Sequence, residues 1–336
     1  MTSPAKALAA VLAPYRRPRL GKSLWQLGNS AVLFVAAWIG MYLLLDVSYW
    51  LVLAVAVPAA FFLVRLFIVQ HDCGHGAFFA KQKVADWVGR AIGVLTLTPY
   101  AYWRKTHALH HAGAGNLEHR GFGDVHTLTV QEYFALSRWR RLGYRLYRNP
   151  FVLFGPGAAF QFLVWHRIPW ITPRGWSRER ASILLTDLGI AAVVVTVGLL
   201  VGWAQFVLVQ APITVLACSL GVYLFYVQHQ FERTYWEHDK AWSYADAALE
   251  GSSFLVLPKV LQWATGNIGF HHVHHLNARI PNYRLPEVLR DHPELANVTR
   301  ITLWQSIRYA GLALWDESQR RLVSFRRARR LARADG

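Results

Sequence analysis

The chain has 336 residues, of which 54% are hydrophobic and only 16% are charged, and its net charge is +17. This composition is more apolar than that of an ordinary soluble domain. The basic charge would suit nucleic acid, but no basic stripe with interleaved stacking aromatics occurs, so nucleic acid is excluded as a partner.

Four apolar runs are each close to the length that crosses a bilayer, which is about 20 residues. They cover about residues 24–45, 49–69, 183–201 and 206–227. No Lys or Arg occurs between Ser23 and Val64 or between Ala181 and Gln228. We read the runs as two hairpins, which turn at residues 46–48 and 202–205. The sequence therefore predicts an all-α membrane protein with four transmembrane helices in two hairpins.

Basic residues flank these runs in the N-terminal arm, between the two hairpins and in the C-terminal tail. By the positive-inside rule these segments face the cytoplasm, and the short turns face out. We expect residues 70–182 and 228–336 to form a cytosolic helical cap, with the whole chain, 1–336, as one membrane-embedded domain. Three segments of the cap are predicted as helices that lie in the membrane interface: 151–170, 253–263 and 301–315.

Eight of the fifteen histidines fall into three clusters, one HxxxH and two HxxHH. These spacings place the imidazoles on one face of a helix. The members are His71 and His75; His107, His110 and His111; and His271, His274 and His275. His229 follows the fourth apolar run at the depth of His71 and is a ninth candidate ligand. So many imidazoles are too many for one metal ion and about right for two, but imidazole alone does not name the metal.

The clusters lie in motifs that resemble the three histidine boxes of membrane-bound fatty acid desaturases. The motifs are HDCGH at residues 71–75, KTHALHH at 105–111 and GNIGFHHVHH at 266–275. Their order, spacing and flanking apolar runs are similar to the family pattern over about residues 25–290. The HxxxH first box and the histidine that opens the third box resemble bacterial acyl-lipid enzymes, such as delta-12/omega-6 and delta-5 desaturases. VQHQFE around His229 resembles the additional histidine segment of that branch.

The resemblance implies a non-haem di-iron centre, held by these nine histidines, that uses O2 to introduce a cis double bond into a membrane-lipid acyl chain. It implies a bacterial inner-membrane enzyme with its active site and both termini in the cytoplasm. Electrons would come from a separate carrier, ferredoxin or flavodoxin with a reductase. The alternative is a hydroxylase or ketolase with the same boxes that acts on an alkane, carotenoid or sterol. A metal transporter would need ligating groups at mid-bilayer depth, where the four runs have no histidine.

One position departs from the family pattern. Stearoyl-CoA desaturases carry asparagine one turn before the fourth-helix histidine, and this chain has Phe225 there. Either one metal ion has an open or water-filled position, or Asn267 fills a similar role. The sequence does not distinguish these two arrangements, and it does not give the position of the double bond.

Two further predictions concern charged residues. Ligating histidines usually donate their second ring N–H to a carboxylate or a carbonyl. The acidic residues near the clusters that could accept it are Asp72, Glu118, Asp124, Glu232 and Asp239. Arg65 and Asp187 lie inside apolar runs, where a charge is costly unless it is paired or reaches the interface. We predict that they pair, with Arg65 reaching the interface alone as the simpler alternative.

Overall fold

The computed structural model describes Leu8 and residues 10–334. Helices dominate this part of the chain. The α-helices are α1 Leu20–Leu44, α2 Tyr49–Gly74, α3 Gln82–Leu95, α4 Tyr100–Gly113, α5 Val130–Ala135, α6 Arg138–Tyr147, α7 Pro150–Phe154, α8 Pro156–Leu163, α9 Ser177–Val201, α10 Trp203–His229, α11 Tyr244–Leu249, α12 Lys259–Ala264, α13 His271–Leu276, α14 Leu285–Asp291, α15 Leu303–Tyr309 and α16 Phe325–Ala334. Short 3₁₀ helices span Ala13–Arg16, Trp165–Arg167, Pro169–Ile171, Asn282–Arg284 and Pro293–Ala296.

Four helices, α1, α2, α9 and α10, are long and apolar enough to cross a membrane, as the sequence predicts. They contain 25 to 27 residues each. At about 1.5 Å per residue they are about 38–40 Å long, which exceeds the hydrocarbon core of a bilayer. Their ends differ from the predicted ends because a helix need not stop where its apolar run stops. Thus α2 continues to Gly74, and α9 begins at Ser177, inside the segment predicted as cap.

The second long helix is the centre of the packing. Of its most apolar 18-residue window, 56% is buried, compared with 17% for α1 and for α9. Helices α1, α3 and α10 all pack against it. Its side chains Leu63, Leu66 and Val69 belong to the largest apolar cluster. Close packing of this kind is what holds helices together in a membrane, so α2 is a rigid support for any residue at its end.

Short β-strands correct the all-α prediction. They are β1 Leu128–Thr129, β2 Phe254–Val256, β3 Arg300–Thr302, β4 Leu314–Asp316 and β5 Arg321–Val323. Strand β4 pairs in parallel with β1 and antiparallel with β5, while β2 and β3 form a separate parallel pair. The segments 253–263 and 301–315 are therefore only partly helical, because β2, β3 and β4 occupy their ends. The third segment, 151–170, is broken at Gly155, where α7 ends and α8 begins at Pro156.

The predicted pair of Arg65 and Asp187 is wrong. Arg65 donates a hydrogen bond to the Trp263 carbonyl, and its guanidinium lies 4.2 Å from the centre of the Trp263 ring. Asp187 instead pairs with Arg167 at 2.7 Å. Each charge therefore has a partner from a segment that connects or follows the long helices, so neither is left alone among apolar side chains.

Candidate metal centre

Four helices carry the nine predicted ligands. His71 lies in the last turn of α2, and His75 is the residue that caps this helix. Helix α4 carries His107, His110 and His111, while His229 is the last residue of α10. Helix α13 carries the third cluster, all of it buried. The i, i+3, i+4 spacing holds as predicted, so the members of each HxxHH cluster project from one helical face.

The structure brings the nine side chains together as two sets. The five-histidine group consists of His71, His75, His107, His111 and His274. The four-histidine group consists of His110, His229, His271 and His275. Within each group, one ring nitrogen of every member lies within 4.8 Å of those of the others. The two groups adjoin, because the rings of His111 and His275 stack with their centroids 4.1 Å apart.

Distances between ring nitrogens fit shared coordination. In the five-histidine group, Nε2 of His111 lies 3.2 Å from Nε2 of His107 and 3.0 Å from that of His274. In the four-histidine group, Nε2 of His229 lies 3.2 Å from Nε2 of His110 and 2.9 Å from that of His271. Two nitrogens bound at about 2.1 Å to one ion, at angles between octahedral and tetrahedral, are about 3.0–3.4 Å apart. Metal ligation by these residues stays a prediction that the geometry fits.

The other ring nitrogens and the unpartnered atoms fit the same interpretation. Nδ1 of His71 is 3.0 Å from Asp72, Nδ1 of His110 bonds Asp124, and Nδ1 of His229 is 3.0 Å from the Gly251 carbonyl. In these three residues Nδ1 therefore donates outwards and Nε2 is left for a metal ion. Nε2 of the two remaining residues His75 and His275 is buried without a hydrogen-bond partner. Buried polar atoms normally have a hydrogen-bond partner, and a metal ion would satisfy these two nitrogens.

Asp72 and Asp124 thus take the role predicted for acidic residues. The same prediction is wrong for three others. Glu118 accepts from His238, Asp239 accepts from Asn116, and Glu232 pairs with Arg321. Two partners were not predicted. These are the Gly251 carbonyl and Asn282, whose backbone and side-chain N–H groups lie 2.7 and 2.8 Å from Asp72. A backbone carbonyl leaves no residue-type signal in a sequence.

Burial keeps six of the candidate ligands neutral. It lowers the pKa of His75, His107 and His111 well below 6.5, and repulsion from neighbouring imidazoles adds to the effect. The same causes lower the pKa of the three α13 residues His271, His274 and His275. Neutral imidazole is the form that binds a metal ion, so these residues need not lose a proton on binding near neutral pH.

Phe225 lies against the four-histidine group. Its ring centre is 5.0 Å from that of His110 and 5.4 Å from that of His229. Asn267 has a left-handed backbone with φ +57°. Its N–H donates to the Gln262 carbonyl and its own carbonyl accepts from Phe270, so its backbone forms the turn before α13. Within the described residues its side chain makes no hydrogen bond, and the choice between an open position and Asn267 stays a prediction.

A cavity of about 650 Å³ reaches both groups. Its wall includes His71 and His107 from the five-histidine group and His271 from the four-histidine group. Most of the remaining wall is apolar, and α2, α8 and α10 contribute about half of it, with Leu63, Phe67, Ala158, Cys218, Val222 and Phe225 among their residues. This volume lies in the range of pockets that enclose a ligand. The cavity can hold a long apolar molecule with one segment beside the histidines.

Comparison with known proteins agrees with the site. The family described as "Fatty acid desaturase" matches residues 48–306. A protein of Bacillus subtilis (strain 168) named "Fatty acid desaturase" is 48% identical over 322 residues, which is 96% of this chain and 91% of that protein. An "sn-1 oleoyl-lipid 12-desaturase" of Synechocystis sp. is 28% identical over 65% of this chain and 62% of its own length. From the same organism, an "sn-1 acyl-lipid omega-3 desaturase (ferredoxin)" is 27% identical over 66% and 61%.

Proposed function

The chain belongs to the fatty acid desaturase family, a family of oxidoreductases, and on that premise we propose that it desaturates an acyl chain of a membrane lipid at a di-iron centre. The observation that carries the proposal is the mainly apolar cavity whose wall contains His71, His107 and His271. It lets a methylene segment lie beside both histidine groups while the rest of the chain contacts apolar side chains.

The chemistry explains why such a cavity needs a metal. An unactivated C–H bond resists acid–base attack by any side chain, and bound iron supplies the capacity to use O2 instead. In the balanced reaction, two hydrogens leave adjacent carbons, and O2 takes them together with two electrons and two protons to form two waters. The five-histidine and four-histidine groups would hold one iron each through Nε2. The apolar cavity wall would exclude water and hold the acyl chain with one pair of carbons facing the groups.

The membrane placement is part of the proposal. We place α1 with α2, and α9 with α10, as two transmembrane hairpins of a bacterial inner membrane, with the chain as one domain. The connecting segments would form a cytosolic cap that contains the metal centre, and both termini would be cytoplasmic. The distribution of Lys and Arg supports this orientation. A cysteine accessibility scan of residues 46–48 and 202–205 tests it, because labelling from the cytoplasmic side at either turn would overturn it.

A separate carrier would supply the electrons. The relative from Synechocystis whose name includes ferredoxin supports a ferredoxin, and a flavodoxin would be chemically equivalent. The acyl-lipid substrate is likewise supported by the names of the two cyanobacterial relatives. Reduction of the purified protein by each carrier with its reductase separates the two choices.

The decisive experiment combines composition with product. Purified protein should contain about two irons per chain and, with carrier, reductase and O2, should form a cis double bond in phospholipid acyl chains, detected by gas chromatography with mass spectrometry. A matched control is the double variant His107→Ala/His271→Ala, which keeps the fold elements but removes one histidine from each group. If iron-loaded wild type leaves the acyl chains saturated, the proposal is wrong. If it instead adds an oxygen atom to the chain, the enzyme is a hydroxylase.

A further inference from the structure

A buried arginine joins the segments that support the four-histidine group. Arg148 caps the end of α6 and is only 2% exposed. Both terminal nitrogens of its guanidinium donate hydrogen bonds to neutral acceptors. The acceptors are the His126 carbonyl and Thr127 Oγ1 for Nη1, both at 3.0 Å, and the Tyr226 hydroxyl, Gln230 Oε1 and the Leu312 carbonyl for Nη2, at 3.2, 2.8 and 3.0 Å. These acceptors come from the segment before β1, the end of α10 and the segment before β4.

These acceptors lie next to the supports of two ligands in that group. Gln230 directly follows His229 at the end of α10. Residues 126–127 continue the chain just beyond Asp124, whose carboxylate accepts from His110. One guanidinium therefore bonds both to the chain that presents His229 and to the segment that orients His110.

The five-histidine group has no such link to this arginine. Among the described residues, the hydrogen bonds of Arg148 reach neither α2 nor α4 nor α13, the helices from which that group is built. Loss of the guanidinium should therefore affect one group and not the other.

Burying this charge is costly. A buried guanidinium usually pairs with a carboxylate, as Arg284 does with Glu287 at 2.9 Å. The described hydrogen bonds of Arg148 go to neutral oxygens, and its Nε has no partner. An apolar side chain of similar volume would fill the space without this cost. A buried polar network can hold its segments in one arrangement, which favours arrangement, rather than stability, as the contribution of Arg148.

We propose that Arg148 is a positioning residue for the four-histidine group. It holds the end of α10 and the Asp124 segment at the spacing that lets His110 and His229 share one metal ion. Nε2 of these two histidines are 3.2 Å apart in the structure. Without the guanidinium the two segments lose their common donor, so the group binds its ion more weakly. This inference rests on the proposed function, because it takes the four-histidine group as a metal site.

The first test measures binding of a metal ion without turnover. The full-length protein in detergent, freed of metal by a chelator, is titrated with Co²⁺, and the absorption spectrum reports each ion bound. Wild type should bind two ions, and His229→Ala identifies the spectrum of the five-histidine group alone. Arg148→Met should bind that first ion as wild type does and the second about tenfold more weakly, as loss of an outer partner of a ligand gives. Arg65→Met removes a different buried guanidinium, which donates to the Trp263 carbonyl, and should bind both ions as wild type does.

The outcomes separate the inference from the function on which it rests. In Arg148→Met, equal weakening of both ions would show a role in folding alone, and unchanged binding of the second ion would show no role. Either result overturns the inference. If wild type and Arg148→Met differ as expected but the iron-loaded wild type forms no double bond, the proposed function fails and the positioning role stands. If His229→Ala binds two ions like wild type, the metal site itself is wrong, and so is the inference.

A second test asks whether Arg148 acts through the segments that it joins. Thr127→Val keeps the shape of its side chain and removes one acceptor, so it tests the link even if Arg148→Met fails to fold. It should weaken only the second ion, by about threefold, as loss of one hydrogen bond gives. In the double variant Arg148→Met/Asp124→Asn, the second ion should be weakened by less than the product of the separate factors. Unchanged binding in Thr127→Val, or a full product in the double variant, overturns the proposal.

Discussion

The five-histidine group and the four-histidine group use the same side chain on different supports. His71 and His75 in the first group stand at the end of α2, the most buried of the long helices, and Asp72 follows His71 directly in the chain. In the second group, His110 depends on Asp124, which lies in the irregular segment after α4, and His229 depends on a backbone carbonyl at Gly251. Helices carry the ligands of both groups, and the difference lies in the hydrogen-bond partners, since Asp72 is part of α2 whereas Asp124 and Gly251 lie outside the helices.

The second group is also the smaller one, and Phe225 contacts two of its members. Loops open locally at lower free energy than packed helices. A metal ion that has fewer ligands, with hydrogen-bond partners of those ligands in loops, should dissociate first. We therefore expect iron at the four-histidine group to be the more labile, and four experiments can break or sharpen this contrast.

The largest effect should come from removing a ligand in each group. His229→Ala leaves three histidines in its group, whereas His75→Ala leaves four. We expect His229→Ala to retain about one iron per chain and His75→Ala to retain more. Desaturation should fall at least about 1,000-fold in His229→Ala, since the metal supplies several kcal/mol, and by less in His75→Ala. Iron by mass spectrometry and product by gas chromatography measure this, with His238→Ala as control. Equal iron loss in the two variants would contradict the contrast.

The next effect should come from the carboxylates that orient ligands. Asp124→Asn weakens the acceptor of His110, and Asp72→Asn weakens that of His71. Loss of such a partner lowers metal affinity by about 10–100-fold. Asp124→Asn should release half of the iron to a chelator at a concentration that leaves Asp72→Asn loaded, because Asp72 variants keep a helical support. The surface variant Glu294→Gln should behave as wild type, and a reversed order would favour the five-histidine group as the labile one.

A smaller effect should follow from giving the four-histidine group another oxygen. Phe225→Asn places an amide beside His110 and His229, where Phe225 now presents an apolar ring. Its iron should leave more slowly, by a factor of roughly 3–10, comparable to gaining one weak partner of the site. Stopped-flow chelation measures the rate. Phe225→Leu is the control for lost volume, and the same change in both variants would mean that space, rather than the new oxygen, is responsible.

The parts of the centre that follow from side-chain type and spacing were predictable from the sequence. The apolar runs indicated four long helices because hydropathy reports the medium around a helix. The histidine spacing indicated which residues share a face, and the structure gathers all nine candidates, including His229. Asp72 and Asp124 were among the predicted acceptors, and they are the two that are near a ligand in space.

The features that the sequence did not predict depend on contacts between segments that are distant in the chain. Glu118 and Glu232 looked equivalent to Asp124 in the sequence, yet they pair with His238 and Arg321. Strand β4 pairs with β1, which lies almost two hundred residues earlier in the chain. Strands of two or three residues are too short for their hydrophobic periodicity to predict such a pairing.

The smallest effect should come from the ion pair that braces the loop of Asp124. Arg120 donates to the Thr127 carbonyl at 2.6 Å and forms two hydrogen bonds with Glu132, which lower the pKa of Glu132 to about 2. A carboxylate with a lowered folded-state pKa stabilises the fold above its unfolded pKa, near 4.5. That stabilisation is lost as the pH falls from about 4.5 towards 2. Glu132→Gln should destabilise the protein by about 1 kcal/mol at pH 6, a value reduced by solvent screening of this partly exposed pair.

Thermal unfolding of iron-loaded wild type and Glu132→Gln at pH 6 and pH 3 measures the difference in stability between the two proteins. This difference should be smaller at pH 3 than at pH 6. Arg290→Gln removes a different exposed pair, with Asp291 at 3.0 Å, and is the matched control, because that pair lies within α14 rather than beside the Asp124 loop. If the loop limits the four-histidine group, Glu132→Gln should also release iron faster at pH 6, and Arg290→Gln should not. Unchanged release in both would show that the loop is held by its backbone contacts alone, and the contrast would then rest on ligand number.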